Sequence, residues 1–200
     1  HNEEGGAKRA AAVSHVPIIN AGDGAGGQHP TQALLDLYTI YNECNTLDGL
    51  SVALIGALDT GRTVRSLAYL LSKFDRVKLY FLAPPEFQIS QDIINHLQER
   101  DVWFHLASDP DEVLPHVDVV YQTRIDRERL QSKDVSMSNY DINPAMLRKM
   151  KSDSIIMHPL PRSVEIDPAV DRDTRAAYFR QSRNGLFVRM ALLTMLFDAE

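Results

Sequence analysis

Residues 51–67, Ser51-Val-Ala-Leu-Ile-Gly-Ala-Leu-Asp-Thr-Gly-Arg-Thr-Val-Arg-Ser-Leu67, decide how this chain folds. The run SVALIG has the length and branching of a buried strand. It breaks at Gly56, crosses a short turn and enters a helical pattern over 62–74. Working outward, the alternation repeats. Apolar runs at 77–83 (VKLYFLA), 102–106, 117–121 (VDVVY) and 154–157 (SIIM) are separated by helical patterns at 89–100, 109–114 and 144–150. Buried strands alternating with helices imply an α/β fold: an open parallel sheet of about five strands with helices on both faces, a Rossmann-like doubly wound arrangement with right-handed crossovers. Upstream, 30–43 is a further helix with Pro30 in its first turn, and 176–197 reads as one or two closing helices. We expect 1–28 to be an opening helix and Gly-rich loop, 29–174 the main α/β domain, and 175–200 the C-terminal helices. The stretch 126–143, dense in charge, Ser and Asn, reads as a mobile loop.

The composition narrows what this sheet could serve. With 200 residues, 44% hydrophobic and 24% charged, the chain is an ordinary globular protein, which excludes disorder and fibre. A net charge of -6 and a pI near 5.6 provide no global field for nucleic acid, so any anion site must be local. Of the 21 basic residues, 15 are Arg, whose fork of donors matches a carboxylate or phosphate at two points. Cys44 is the one cysteine, so no disulfide or Cys-based zinc site forms within one chain, and a reducing compartment is expected. The apolar stretch 187–197 is interrupted by Arg189 and falls short of the roughly 20 residues a membrane span needs. The first residue is His1 rather than Met, and the opening HNEEGGAKRAAAVS carries acids where a signal peptide would be apolar. The chain therefore reads as a piece starting inside a longer polypeptide, with the cytoplasm as the expected address and an organelle left open.

In an open parallel sheet, ligands bind beyond the carboxyl ends of the strands. Three loops there each carry an Arg: Gly56-Ala-Leu-Asp-Thr-Gly61-Arg62-Thr63, Gln122-Thr123-Arg124 and His158-Pro-Leu-Pro-Arg162. All three are expected to face one crevice. GALDTGRT fits the spacing of a phosphate-binding GxxxxGK[ST] loop, but Arg62 stands in place of the Lys, which removes the nucleotide reading. What survives is an Arg at a helix N-terminus, where backbone donors already favour an anion; taken alone, it could equally bridge to a surface carboxylate.

The stretch 20–32 holds Gly22, Gly24, Gly26 and Gly27, then His29, Thr31 and Gln32 at the start of a helix. Such a loop can deliver an imidazole to polarise a carbonyl and an amide to hold its neighbour, or it is simply a solvated loop. His29, His105 and His158 lack metal-ligand spacing, so no metal is expected. In HPLPR two prolines fix φ and remove two donors, leaving rigid carbonyls able to accept from an ammonium or amide; the alternative is a stiff loop chosen for shape. Ser66, Ser154 and Ser163 have no nucleophile-elbow context, and Cys44 falls in or just after a helix, so covalent catalysis has little support.

Taken together, NAGDG…QHPTQALLD, GRTVRSL, YQTRI, MHPLPR and RAAYFRQ…NG resemble, in order and spacing, the catalytic chain of aspartate carbamoyltransferases, from His1 to about Leu196. Related ornithine carbamoyltransferases carry HCLP where this chain has His158-Pro-Leu-Pro161. The resemblance implies transfer of a carbamoyl group from carbamoyl phosphate to L-aspartate, early in pyrimidine synthesis, with no cofactor. It implies that His29 donates to the carbamoyl oxygen, Gln32 and the carbonyls of Leu160 and Pro161 hold the carbamoyl amide and incoming amine, and Arg62 and Arg124 clamp the aspartate carboxylates. It also implies a homotrimer with shared active sites, with regulatory chains or fused pathway enzymes as further partners.

Against that family pattern, the Arg that precedes the residue matching His1, the upstream Ser-Thr-Arg-Thr phosphate loop and the Lys loop lie outside this chain. The chain is thus expected to be the aspartate-binding part and inactive alone. Asp126 stands where the family usually has Gln; a like charge ~4 Å from a substrate carboxylate would cost about 4 kcal/mol at an effective dielectric near 20 unless Arg127 or Arg129 compensates or the side chain turns away. GALDTG also lacks the acid usual after its first Gly. Two other readings stay open: a carbamoyltransferase for another amino acid, and a catalytically silent homologue kept as a binding module.

Overall fold

β1 (Ser51–Ile55) occupies the centre of a five-stranded sheet whose order is β3-β2-β1-β4-β5, completed by β2 (Lys78–Leu82), β3 (Trp103–Ala107), β4 (Val119–Gln122) and β5 (Ile155–Met157). Every pairing is parallel, as the α/β alternation requires. The computed structural model describes residues 3–24, 26–124 and 138–197; Asp126 and most of the 126–143 loop lie outside them.

Successive residues of β1 feed opposite cores, which explains its unbroken apolar run. Ala53 and Ile55 join Leu82, Val113, Val120, Met146 and Ile156 on one face. Val52 and Leu54 join Leu67, Leu71, Phe81, Val119 and Met157 on the other. Helices α2 (Pro30–Cys44), α3 (Arg62–Leu71) and α4 (Gln91–Glu99) supply the second face; the short α5 (Pro110–Val113) and α6 (Pro144–Leu147) supply the first. The 176–197 segment is one helix, α7 (Tyr178–Phe197), packed on α2 through Asn184, whose amide donates to Thr39 Oγ1 at 3.0 Å, and a paired Arg180–Glu43 contact at 2.6 and 2.8 Å. Most of its C-terminal half is exposed, including Leu186, Phe187, Met190 and Phe197.

Several elements stop short of the sequence pattern for local reasons. The 62–74 helix closes at Leu71 because Ser72 turns its hydroxyl to the Tyr69 carbonyl at 2.7 Å. The 89–100 helix begins only after Ser90, with Ile89 buried ahead of it. The 144–150 pattern is helical only to Leu147. At the other end, α1 (Gly6–Val13) has no buried residue; the Asp23 carboxylate holds its start, accepting from the amides of Gly5 at 2.9 Å and Gly6 at 3.1 Å.

Candidate functional site

In a sheet ordered β3-β2-β1-β4-β5, the connections diverge between β1 and β4, and a crevice opens there above the carboxyl ends. The loops leaving β1, β4 and β5 are neighbours at this edge because those strands are neighbours. The approach is tight: the Thr123 amide and hydroxyl both donate to the Ile55 carbonyl, at 2.8 and 3.1 Å. Gly56 lies directly against Thr123, at φ 126°, where no side chain has room. Arg62 begins α3, with Gly61 as the preceding cap residue. Arg124 follows β4 and is exposed. Arg162 does not join them. Its guanidinium is paired at two points with Asp171, at 2.5 and 2.6 Å, and lies near the Tyr178 and Phe179 rings, so the third loop Arg serves the fold rather than the crevice.

The Gly-rich loop brings α2 to the same place. His29 is the cap residue of α2, and its backbone amide donates to Ser66 Oγ of α3 at 2.8 Å; Ser66 in turn donates to Gln28 Oε1 at 2.5 Å. Gly22 packs on the Arg62 side chain: a Cβ there would stand 3.1 Å from the guanidinium carbon. Burial, followed by the positive charges of Arg62 and Arg189, pushes the His29 imidazole from 6.5 down to about 4. The ring is therefore neutral near pH 7, keeping one N–H donor and one acceptor. Arg189 sits on α7, far along the chain, and nothing in the local sequence marks it as a neighbour of His29.

Gln32, in the first turn of α2, is buried and its amide donates to Asp36 Oδ1 at 2.9 Å, which leaves Oε1 as its acceptor. Asp36 is itself fully enclosed. Burial raises its carboxyl to about 7, against hydrogen bonds from Tyr121, Gln181 and Gln32. Asp36 carries no motif of its own in the sequence; the i, i+4 spacing of Gln32 and Asp36 on a helix is the one signal that marks it.

The HPLPR loop is fixed from within. His158 is buried, the Leu160 amide donates to its Nδ1 at 2.8 Å, and so its ring proton belongs on Nε2, facing Glu165 Oε1 at 3.0 Å. Glu165 is fully buried. Despite that burial, the hydrogen bond from His158 and backbone donors hold its carboxyl below the usual range. Leu160 takes a left-handed φ of 45° and precedes a cis peptide bond to Pro161, which is exposed. Two buried side chains, His158 and Glu165, thus shape the loop that carries the Leu160 and Pro161 carbonyls. Among the described residues, no three His, Cys, Asp or Glu side chains are grouped as a metal site, and no helix is long and apolar enough to cross a membrane.

Known proteins share this architecture. The family model described as aspartate/ornithine carbamoyltransferase, Asp/Orn binding domain, matches residues 48–196, and the companion carbamoyl-P binding domain model matches residues 1–42. A chloroplastic aspartate carbamoyltransferase of Arabidopsis thaliana is 53% identical over 200 residues, covering 98% of this chain and 51% of its own length. The multifunctional protein CAD of Squalus acanthias is 45% identical, covering 96% of this chain and 9% of its own length. Among solved structures, the catalytic subunit of M. jannaschii aspartate transcarbamoylase is 44% identical with a TM-score of 0.92, covering 100% of this chain and 65% of that one. The Trypanosoma cruzi aspartate transcarbamoylase in complex with carbamoyl phosphate and aspartate is 42% identical with a TM-score of 0.90, covering 96% and 62%. The chain spans about half the length of the plant relative.

Proposed function

Because the chain belongs to the aspartate/ornithine carbamoyltransferase family, we propose that the polypeptide carrying it transfers the carbamoyl group of carbamoyl phosphate to L-aspartate, giving N-carbamoyl-L-aspartate and phosphate. The observation that carries the reading is the meeting of two helix starts over the β1/β4 crevice, where His29 is bonded to Ser66 of the helix that Arg62 begins and Gly22 of the same loop lies against the Arg62 guanidinium. A neutral imidazole N–H can donate to the carbamoyl oxygen as the aspartate nitrogen adds to the carbamoyl carbon and negative charge grows on that oxygen. The Gln32 Oε1 atom and the carbonyls of Leu160 and Pro161 accept from the carbamoyl NH2 and the incoming amine. Arg62 and Arg124 take the two aspartate carboxylates. Collapse of the adduct breaks the bond to the phosphate oxygen; the amine sheds its proton and phosphate leaves. Orientation and charge stabilisation carry these steps, and no cofactor is invoked.

The Trypanosoma cruzi enzyme's complex with both substrates supports the substrate pair. His158-Pro-Leu-Pro161, in place of HCLP, favours aspartate over ornithine. The chain acts as the aspartate-binding part, in a homotrimer whose subunits share active sites, and the 200 residues alone do not turn over. The CAD relative supports fusion to other pathway enzymes, with regulatory chains as the other arrangement. A relative named chloroplastic supports keeping an organelle beside the cytoplasm as the address. The test is product formation by the full polypeptide supplied with carbamoyl phosphate and either aspartate or ornithine. Carbamoyl aspartate is expected; ornithine preference would overturn the substrate, and no product with either would favour the silent homologue.

A further inference from the structure

Asp36 joins three elements at one carboxylate, and through Gln181 reaches a fourth segment. Its Oδ1 accepts from Gln32 Nε2 of α2 at 2.9 Å and from Gln181 Nε2 of α7 at 2.7 Å, while Oδ2 accepts from the Tyr121 hydroxyl of β4 at 2.8 Å. Gln181 Oε1 then accepts the His158 amide at 2.8 Å, at the head of the loop after β5. Asp36, Tyr121 and Gln181 are fully enclosed, and Gln32 nearly so.

A side-chain amide can present either its oxygen or its NH2 to a given neighbour, so a buried Gln needs something to fix its orientation. An acceptor-only oxygen does this. With both NH2 groups turned to Asp36 Oδ1, both oxygens must point away: that of Gln181 to the His158 amide, that of Gln32 along the opposite edge of its amide group. We infer that Asp36 is a positioning residue for carbamoyl recognition, presenting the Gln32 oxygen to the carbamoyl NH2 and anchoring, through Gln181, the loop of Leu160 and Pro161. The inference rests on the carbamoyl-transfer reading above. Oδ1 accepts equally well when a proton sits on Oδ2, since the Tyr121 hydroxyl can turn to accept it, so the arrangement serves in either ionisation state.

The test is made in the full polypeptide, with wild type, Asp36→Asn, Asp36→Leu, Gln32→Ala and the Asp36→Leu/Gln32→Ala double variant. Asn keeps an oxygen with two lone pairs for both amides and can donate to Tyr121; Leu keeps volume alone. Asp36→Leu is expected to raise KM for carbamoyl phosphate roughly 10- to 100-fold, the loss from a misdirected buried acceptor, with a smaller change in KM for aspartate. Asp36→Asn should stay within about threefold of wild type because its oxygen can still accept from both amides. The Leu and Gln32→Ala effects should be less than multiplicative when combined. Asp36→Asn failing as badly as Asp36→Leu, or fully multiplicative effects, would overturn the inference.

If Asp36→Leu does not fold, Gln181→Met cuts the arm to His158 while leaving Gln32 on Asp36. It should lower kcat/KM and displace the HPLP loop in a crystal structure; unchanged kinetics and an unmoved loop overturn the inference. Failure of the parent reading looks different: wild type forms no carbamoyl aspartate, whereas crystal structures still show Gln32 leaving its place in Asp36→Leu and keeping it in Asp36→Asn. Gln32 staying in place in both would sink the positioning role on its own.

Discussion

Replacing His29 by Gln should change how stability responds to acid. The imidazole is pushed from 6.5 to about 4 by burial, Arg62 and Arg189, so between those values the unfolded chain binds a proton that the folded chain refuses. Stability contributed by this group is therefore present above about pH 6.5 and is lost as pH falls toward 4. Linkage with these two values gives a loss of about 2 kcal/mol at pH 5, against about 0.2 kcal/mol at pH 7. The ring is only half-buried, so screening trims the difference to about 1–2 kcal/mol. Urea unfolding of wild type and His29→Gln at pH 7 and pH 5 measures it directly: wild type should lose about 1–2 kcal/mol more than the variant on acidification. Equal losses would refute the reasoning. They would mean that His29 titrates near its ordinary value, with neither burial nor cations acting on it, and a neutral donor could no longer be assumed just below neutral pH.

Three other outcomes are expected. Arg62→Gln and Arg124→Gln should each raise KM for aspartate roughly 30- to 100-fold, about 2–3 kcal/mol for a lost charge-assisted hydrogen bond, with KM for carbamoyl phosphate little changed in steady-state assays of the full polypeptide. Gly56→Ala forces a Cβ onto the Thr123 hydroxyl at a φ of 126°; a cost of about 2–3 kcal/mol should appear as a melting point lower by roughly 4–12 °C. Arg162→Lys gives up the fork held by Asp171 in a partly exposed pair, so calorimetry should register about 1 kcal/mol and little more.

The sheet was legible because both its faces are covered. Val52, Ala53, Leu54 and Ile55 are all buried, and only a strand between two helical layers demands such a run. Helix ends were less so, because side-chain bonds such as Ser72 to Tyr69 compete with continuation and leave no mark on the periodicity. Among the candidate site residues, Arg62, Arg124, His29 and Gln32 stand out in the sequence because each sits at or near the point where a strand or loop meets a helix or turn. Arg162 misled for the same reason: it occupies an equivalent loop, but its partner Asp171 is a tertiary neighbour. The supports stayed hidden altogether. Tyr121, Gln181 and Asp36 are far apart in sequence, and Glu165 behind His158 reads as an ordinary surface acid until the fold encloses it.

The Asp23 contact with the start of α1 has a mechanical meaning. Asp23 grips the amides of Gly5 and Gly6, and its neighbour Gly22 rests on the Arg62 side chain, so two consecutive residues form a strut from the opening helix to a guanidinium at the head of α3. The chain of contacts from α1 to Arg62 thus runs outside the sheet. Gly22 holds a φ of 124°, and a side chain there would press on the guanidinium, so the contact needs glycine at this point. The segment matched by the carbamoyl-P binding domain, residues 1–42, thereby lies against a side chain of the segment matched by the Asp/Orn binding domain.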